Sequence, residues 1–539
     1  MTASDVTEES TAGRAGQGLA GAAVLIGVIT ILARIAGFGR IVVFSQTVKT
    51  SCLGQAYYTA NQVPNIAFEI VAGGALAGMV VPVLAGAAER GDREHVSRTT
   101  SALLTWTAVA LVPLSAIGVL LAHPIMGALV RGNLDQCSRA GVVTVGTHML
   151  AVFAPQIMLY GFTVVLYGVL QAHRRFAAPA LAPLVSSLVV MGAYLAYVPL
   201  GRGHQQDLST LPRSAELMLS LGTTAGVVVL VVTAGVAAVR LRLRFRPTLR
   251  FPDGTAVRVR RLAIAGLATV AAQQLSAVAV VVLSGHGTVG ALADYQYAWA
   301  LFLLPWAVLA VPVATSAFPM LSARVSAGET EEFDRITAST TRAIVLVSCV
   351  GAAGLAAVAV PVATFLDHDA VPAVLSRAVL AFAPGLLGYG FVAHLGRVLF
   401  ACHRGRDSAG ATVAGWLVVI VADLALVFTL PRDWTVAGLA LGNTAGMTVA
   451  GALLLAALVR VRGRGVLAGL GRATAAGVTG AVAGGVAGYA VAVAIDASGQ
   501  LTSIGAAIAA GLTACAVFAL VTYTLDGRDL KAVIGRRMR

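Results

Sequence analysis

Two arginines, Arg34 and Arg40, sit in the segment ARIAGFGR (33–40), inside a stretch from Leu19 to Phe44 that is otherwise almost entirely apolar or small. An arginine at the centre of a membrane helix costs about 2.5–3.5 kcal/mol, so such residues face a cavity or a partner. Six residues advance a helix by about 9 Å and turn it by about 240°, which leaves the two side chains about 120° apart. One wide cavity receives both; one narrow groove does not. Gly37 and Gly39 between them weaken the helix and permit bending or close backbone approach. Two planar guanidinium forks fixed in a cavity suit a phosphate. The competing arrangement is ion pairing within the membrane, with Glu69 and Asp423 as acids and Arg397 as a further cation. A transporter that exchanges an internal acid for a substrate phosphate would use both. His148 and His394 are expected to be packed, hydrogen-bonded histidines rather than proton relays.

Other chemistry finds little support. No external loop gathers the Asp, His and Ser cluster a hydrolase needs, and no Walker A pattern is present. The five cysteines form no CxxC pair or His/Cys cluster, so no metal and no cofactor are expected. A coupling ion or the membrane potential stays open as the driving force.

The elements that must position these residues follow from composition. Of 539 residues, 58% are hydrophobic and only 12% charged, against about 25% charged in a soluble chain. Apolar runs of about 20 residues recur throughout, the signature of membrane-spanning helices. Fourteen segments are expected: 18–44, 61–88, 100–123, 141–170, 177–199, 215–239, 262–284, 292–320, 340–366, 374–401, 409–430, 435–459, 473–495 and 502–525. With the N-terminus in the cytoplasm and sides alternating, the cytoplasmic side holds 28 of the 38 Lys and Arg residues, counting Arg342 at the inner end of the ninth segment. The external side holds only Lys49, Arg131, Arg139, Arg202, Arg213, Arg377 at the outer end of the tenth segment, and Arg432. That bias is what the positive-inside rule predicts for a cytoplasmic membrane protein with both termini inside. The +14 net charge therefore belongs to topology, and nucleic-acid binding is not expected. Cys52 and Cys137 both fall outside, where thiols oxidise, and a disulfide between them is expected if their Cα atoms approach within about 7 Å.

A faint repeat divides the chain. PVLAGAAERGD from Pro82 is echoed by PMLSARVSAGE from Pro319, and VLQAHRR (169–175) by VLFACHR (398–404). Two six-helix lobes are expected, 18–239 and 262–459, with two appended helices in 460–525. Short tails, a disordered 1–17 and a basic 526–539, flank them. The lobes are joined by a basic linker, 240–261, that either anchors topology against anionic lipid or docks a cytoplasmic partner. Repeated halves with a site between them are a common transporter plan. Only Lys49 and Lys531 are lysines among the basic residues, and Ala, Gly and Val abound, a composition of GC-rich bacterial genomes.

ARIAGFGR, QVPNIAFEIVAGGALAGMVVPVLAG (62–86), LYGVLQAHRRFAAPALAPLVSSL (166–188) and YAWALFLLPWAVLAVPVATSAFPMLS (297–322) resemble the MurJ/MviN family of lipid II flippases, within the multidrug/oligosaccharidyl-lipid/polysaccharide exporter superfamily. The resemblance covers nearly the whole chain. It implies a monomeric flippase that moves undecaprenyl-diphosphate-linked sugar-peptide outward by alternating access, with basic residues on the diphosphate and a lipid-tail groove at the last two helices. Cell-wall synthesis proteins are the expected partners besides membrane lipids. It also implies that Arg34, Arg40 and Arg397, with Asn61, Asn65 and Glu69, touch cargo. Glu69, Asp294 and Asp423 are then candidates for coupling or ion pairing. The chain departs from the family where Phe68 and Glu69 replace a basic pair, where Ile41 and Gln55 replace acids, and where Trp299 and Ala300 replace an Asp-Arg pair. Those departures lower the positive charge of the cavity. Another lipid-linked glycan, ion-coupled export of an amphiphile, and a non-transporting scaffold are the competing expectations.

Overall fold

The computed structural model describes residues 27–70, 77–131, 137–251, 255–366, 372–495 and 499–535. The expected tail 1–17 lies outside these. All regular structure among the described residues is helical. In chain order the α-helices are α1 (Gly27–Thr47), α2 (Cys52–Glu69), α3 (Ala77–Glu89), α4 (Arg93–Leu120), α5 (Ala122–Leu129), α6 (Arg139–Phe153), α7 (Gln156–Ala172), α8 (Ala177–Gly201), α9 (Arg213–Val239) and α10 (Thr255–Ser284). They continue with α11 (Ala291–Pro305), α12 (Val311–Ser326), α13 (Thr330–Leu366), α14 (Pro372–Phe382), α15 (Gly385–Ala401), α16 (Gly405–Thr429), α17 (Thr435–Arg462), α18 (Leu470–Ala494) and α19 (Gln500–Gly535).

Twelve helical stretches are long and apolar enough to cross a membrane, and the bent pair α14–α15 makes a thirteenth. The remaining expected segment, 61–88, coincides with α2 and α3, whose junction lies outside the described residues. A count of fourteen is compatible with this. Three segments are not single straight helices, and proline explains each. Pro155 separates α6 from α7, Pro384 sits at the 42° bend between α14 and α15, and Pro305 precedes a single π-turn, Trp306–Ala310, that joins α11 to α12. A proline inside a helix removes one hydrogen bond and clashes with the preceding turn. The linker is shorter than expected: α9 ends at Val239 and α10 begins at Thr255, because no Gly or Pro follows Gly254 until Gly266. The tail differs too, since α19 runs on to Gly535 past a non-helical Asp526 whose carboxylate pairs with Arg472 at 2.8 Å.

Local structure repeats along with the sequence. The α6/α7 and α14/α15 breaks fall on the same tripeptide, Phe153-Ala154-Pro155 and Phe382-Ala383-Pro384. Helices α7 and α15 also end alike, on left-handed Arg174 (φ 57°) and His403 (φ 59°). In each case the next amide, that of Arg175 or Arg404, donates at 2.8 Å to a carbonyl five residues back. The turns after α3 and α12 match as well, with left-handed Gly91 (φ 71°) and Gly328 (φ 73°). Glycine at such a position avoids the Cβ clash other residues meet there.

Packing separates the chain into two groups. Helices α2 to α9 pack among themselves, as do α10 to α17, while α18 and α19 pair with each other and with α13. The groups meet chiefly where α2, α3 and α5 touch α10 and α11. The largest apolar core is shared between them: Phe44, Leu53 and Tyr57 from one side interlock with Leu292, Tyr297 and Phe382 from the other. It lies at the end where Cys52 and Cys137 are joined by a disulfide, with Cα atoms 5.6 Å apart. Polar contacts reinforce this seal. Gln46 Nε2 donates to the Phe365 carbonyl at 2.8 Å, and the Leu292 amide donates to Gln55 Oε1 at 3.4 Å. At the opposite, arginine-rich end the cores are separate, one built from α3, α4 and α7 and another from α12, α13, α15 and α17. A core common to both groups at one end and divided at the other leaves a cleft open toward the arginine-rich end.

The bridge ties the α1–α2 corner to the start of α6 across 85 residues. Closing so long a loop stabilises a fold by about 2–4 kcal/mol. Cys52→Ala is therefore expected to lower the melting temperature in detergent, and reductant should lower that of the unmodified protein to match. Identical melting of all samples would show that the bridge adds nothing.

Candidate functional site

A cavity of about 810 Å³ lies in the cleft, walled by α1, α2, α7, α8 and α9 on one side and by α11 on the other. Helix α1 brings both arginines to it. Arg34 is exposed near the opening, while Arg40 is half-buried deeper in. Gly37, on the same wall, has nothing within 4 Å of a Cβ placed there, so the helix leaves open space between the two guanidinium groups. Among the described residues neither arginine has a carboxylate partner. Arg40 instead lies within electrostatic reach of the phenols of Tyr57, Tyr58, Tyr160 and Tyr194. Tyr57 and Tyr194 are fixed by their own bonds, Oη to Oη at 2.7 Å, and Tyr57 Oη also meets Thr223 Oγ1 at 2.8 Å.

Helix α2 supplies Asn61 and Asn65 to the same wall. Ser51 caps its start, accepting the Gly54 amide, and Pro64 sits inside it. Asn61 Oδ1 is buried with no hydrogen-bond partner among the described residues, and so is Tyr167 Oη across the cavity. Buried polar atoms are normally satisfied, so these two are ready to accept or donate to a polar occupant. On the facing side α11 presents Gln296 and Trp299. The arrangement offers fixed cations, amides and aromatic faces in one apolar chamber. It can hold an anion and the hydroxyls and faces of a sugar.

The expected acids lie elsewhere. Glu69 is exposed at the last turn of α2 and makes no ion pair with Arg34 or Arg40. Phe68 takes the cavity face instead, its ring 4.5 Å from that of Tyr160. One residue on, a helix has turned by about 100°, and Glu69 comes within electrostatic reach of Tyr389 on α15. Arg397 does not line the cavity; its Nη1 donates to the carbonyl of Ala393, one turn earlier on α15. Asp294 is buried in the first turn of α11, toward the sealed end. Asp423 is fully buried on α16, packed so tightly on α17 that a Cβ at Gly442 would fall 1.9 Å from its Oδ1. Neither Asp423 oxygen has a hydrogen-bond partner among the described residues. His394 is packed as expected, its Nε2 against Thr340 Oγ1 at 3.2 Å, whereas His148 is hydrogen-bonded but 43% exposed, its Nδ1 beside Glu216 at 3.3 Å.

The tyrosine ring around Arg40 escaped sequence reasoning. Its one local signal was the Tyr57-Tyr58 pair four residues before Asn61, inside an apolar run.

The family model described as "Lipid II flippase MurJ" matches residues 44–501. Among curated relatives, the probable lipid II flippase MurJ of Synechocystis sp. is 27% identical over 44% of each chain. The lipid II flippase MurJ of Burkholderia cenocepacia is 27% identical over 32% of each chain. The alignments thus span less than half the length of these two relatives, whereas that with the Vibrio cholerae protein, 22% identical, covers 75% of this chain and 76% of its own. Among solved structures, lipid II flippase MurJ in an inward closed conformation superposes with a TM-score of 0.72 at 16% identity, covering 93% of this chain and 99% of its own. An inward-facing multidrug transporter of the MATE family gives 0.62 at 15% identity over 80% of this chain and 94% of its own. These likenesses establish the fold.

Proposed function

Because the chain belongs to the lipid II flippase MurJ family, we propose that it carries an undecaprenyl-diphosphate-linked peptidoglycan precursor from the cytoplasmic to the outer leaflet by alternating access. The observation that carries this reading is Arg34 and Arg40 standing, among the described residues, without carboxylate partners in a chamber of amides, hydroxyls and aromatic rings between two helical groups. The protein is a multi-span membrane transporter, and the chemistry it performs is binding and release rather than bond making. The arginine-rich end is assigned to the cytoplasm and the disulfide end to the oxidising exterior, and on the positive-inside rule both termini are proposed to lie inside. The cavity is complete within one chain, and a monomer is the proposed unit.

A diphosphate entering from the cytoplasm meets Arg34 first, where water still screens the charge. It then passes to Arg40, where the apolar walls strengthen the attraction. Asn61, Asn65 and the tyrosines receive sugar hydroxyls and sugar faces. Outward release requires the shared core at the disulfide end to part while the divided cores meet. A chamber of about 810 Å³ supports a carrier over a scaffold, which would have no use for one. The reading is tested in vesicles holding a fluorescent lipid-linked precursor, with a quencher that reaches one leaflet. Quenching no faster than in protein-free vesicles would overturn it.

Asp423 is the proposed coupling acid. A buried carboxylate with no hydrogen-bonding partner costs several kcal/mol when charged, so binding a cation or proton there is favourable. Asp423→Asn is expected to keep or raise the melting temperature while slowing transport at least about tenfold, a loss of about 1.4 kcal/mol of driving interaction. Normal transport by this variant would remove Asp423 from the mechanism.

A further inference from the structure

We propose that residues 240–250 form a fixed strap that binds the phosphate headgroups of anionic phospholipid at the cytoplasmic surface. The segment is the expected linker, but it is not free. It leaves α9 through a turn over 240–242, with Arg242 left-handed at φ 53°, and from Leu243 it runs extended along α4, bonded to it at regular intervals. Ser97 Oγ donates to the Arg244 carbonyl, the Arg246 amide donates to Ser101 Oγ at 3.0 Å, and the Thr248 amide donates to Thr105 Oγ1 at 3.1 Å. Trp106 Nε1 closes the series on the Leu249 carbonyl at 3.0 Å. The spacing has a simple cause. Two residues of extended chain advance about 6.6 Å and four residues of helix about 6 Å. Hydroxyls at every fourth position of α4 therefore meet every second residue of the strap.

An extended chain turns successive side chains to opposite faces. Leu241 and Leu243, with Phe251 beyond them, pack on the core formed by α3, α4 and α7. Arg244 and Arg246, in the extended part, take the other face, and Arg240, Arg242 and Arg250 are exposed beside them. Among the described residues none of the five has a carboxylate partner, although neighbouring Arg98 and Arg174 pair with Glu94 and Glu89. The result is a rigid row of uncompensated positive charge.

Its height on the bundle selects the occupant. Residues 99–103 of α4 are buried, and the exposed apolar face of that helix begins at Trp106 and continues through Val109 and Val112. Tryptophan favours the membrane–water boundary. The strap ends beside Trp106, so its arginines lie at headgroup level. Phe245 and Leu249, 40% and 51% exposed, add apolar surface for the headgroup–acyl boundary. Charge and apolar surface together fit a leaflet rather than a soluble acidic protein. This inference does not depend on the cargo.

The test uses the full-length protein in detergent with equimolar phosphatidylglycerol and phosphatidylcholine, and reads the retained lipid by native mass spectrometry. Phosphatidylglycerol should be retained in excess, and the excess should shrink as salt rises, since exposed charges are screened. R242Q/R244Q/R246Q/R250Q should cut the excess about tenfold, each basic group near a surface contributing severalfold. An intact Cys52–Cys137 bridge in that variant verifies correct insertion. S101A/T105V keeps every charge but releases the Arg246 and Thr248 amides, and it should also lose severalfold. No excess in the unmodified protein, or an unchanged excess in the Arg→Gln variant, overturns the proposal. Full retention by S101A/T105V overturns the fixed strap, and displacement of both lipids by millimolar inorganic phosphate would assign the site to a soluble anion instead.

Discussion

Arg40→Ala is expected to reduce precursor transport in vesicles by about 10- to 150-fold while leaving the protein abundant in the membrane. The range follows from the worth of a hydrogen bond to a charged group, about 1.5–3 kcal/mol, on a cargo whose diphosphate meets no other deep cation among the described cavity residues. Among the described residues Arg40 has no internal ion pair to lose. Its replacement removes a half-buried charge held only by phenols, so the melting temperature should hold or rise. Activity and stability then move in opposite directions, which a merely structural arginine would not produce. Arg40→Lys should fall between, since an ammonium group keeps the charge but not the planar fork. Arg34→Ala should cost less, because an exposed cation is screened by water. Normal transport by Arg40→Ala would remove the anion site. Disappearance of the protein would make Arg40 a folding residue.

The fold was legible because membrane helices advertise themselves. Apolar length and the one-sided distribution of arginine hold without knowledge of packing, and every described helix that qualifies as a span coincides with an expected segment. The breaks were legible in principle, since Phe-Ala-Pro occurs at both, but a proline in an apolar run reads equally well as a tolerated kink. The site was half legible. Arg34, Arg40, Asn61 and Asn65 all reach one cavity, because a charge or amide in an apolar run has few other places to go. Glu69 failed as a partner because depth in the membrane is not direction. Phe68 and Glu69 are adjacent in sequence, and the helix gives the cavity to the phenylalanine. Arg397 failed as a cavity residue because sequence does not say which of two helical groups closes around which polar residue. The tyrosines were invisible because an aromatic residue in an apolar run looks like core.

Gly290→Asn should shift the resting conformation toward the outward-open state. Gly290 caps α11 in the left-handed region at φ 78°, pressed against the backbone of Thr50 in the α1–α2 corner. A Cβ there would fall 2.9 Å from the Thr50 carbonyl carbon, closer than real Cβ contacts come, and the obstacle is backbone that cannot swing aside. Asparagine tolerates left-handed backbone better than other side chains, so its main penalty is this contact. The contact joins the two helical groups at the sealed disulfide end, and parting that end, as the proposed transport cycle requires, would relieve it. Overpacking costs about 1–3 kcal/mol, which shifts a two-state balance by about 5- to 150-fold. The readout is a cysteine at Leu303, a cavity-lining residue of α11, in a protein whose free cysteines Cys349, Cys402 and Cys515 are replaced. A membrane-impermeant thiol reagent added from the disulfide side should label it severalfold faster when Gly290→Asn is present. Gly290→Val, which adds left-handed strain to the same clash, should label faster still or lower the melting temperature. If Gly290→Asn labels no faster than the parent, the α1–α2 corner is not the gate, and the seal must reside in the shared apolar core alone.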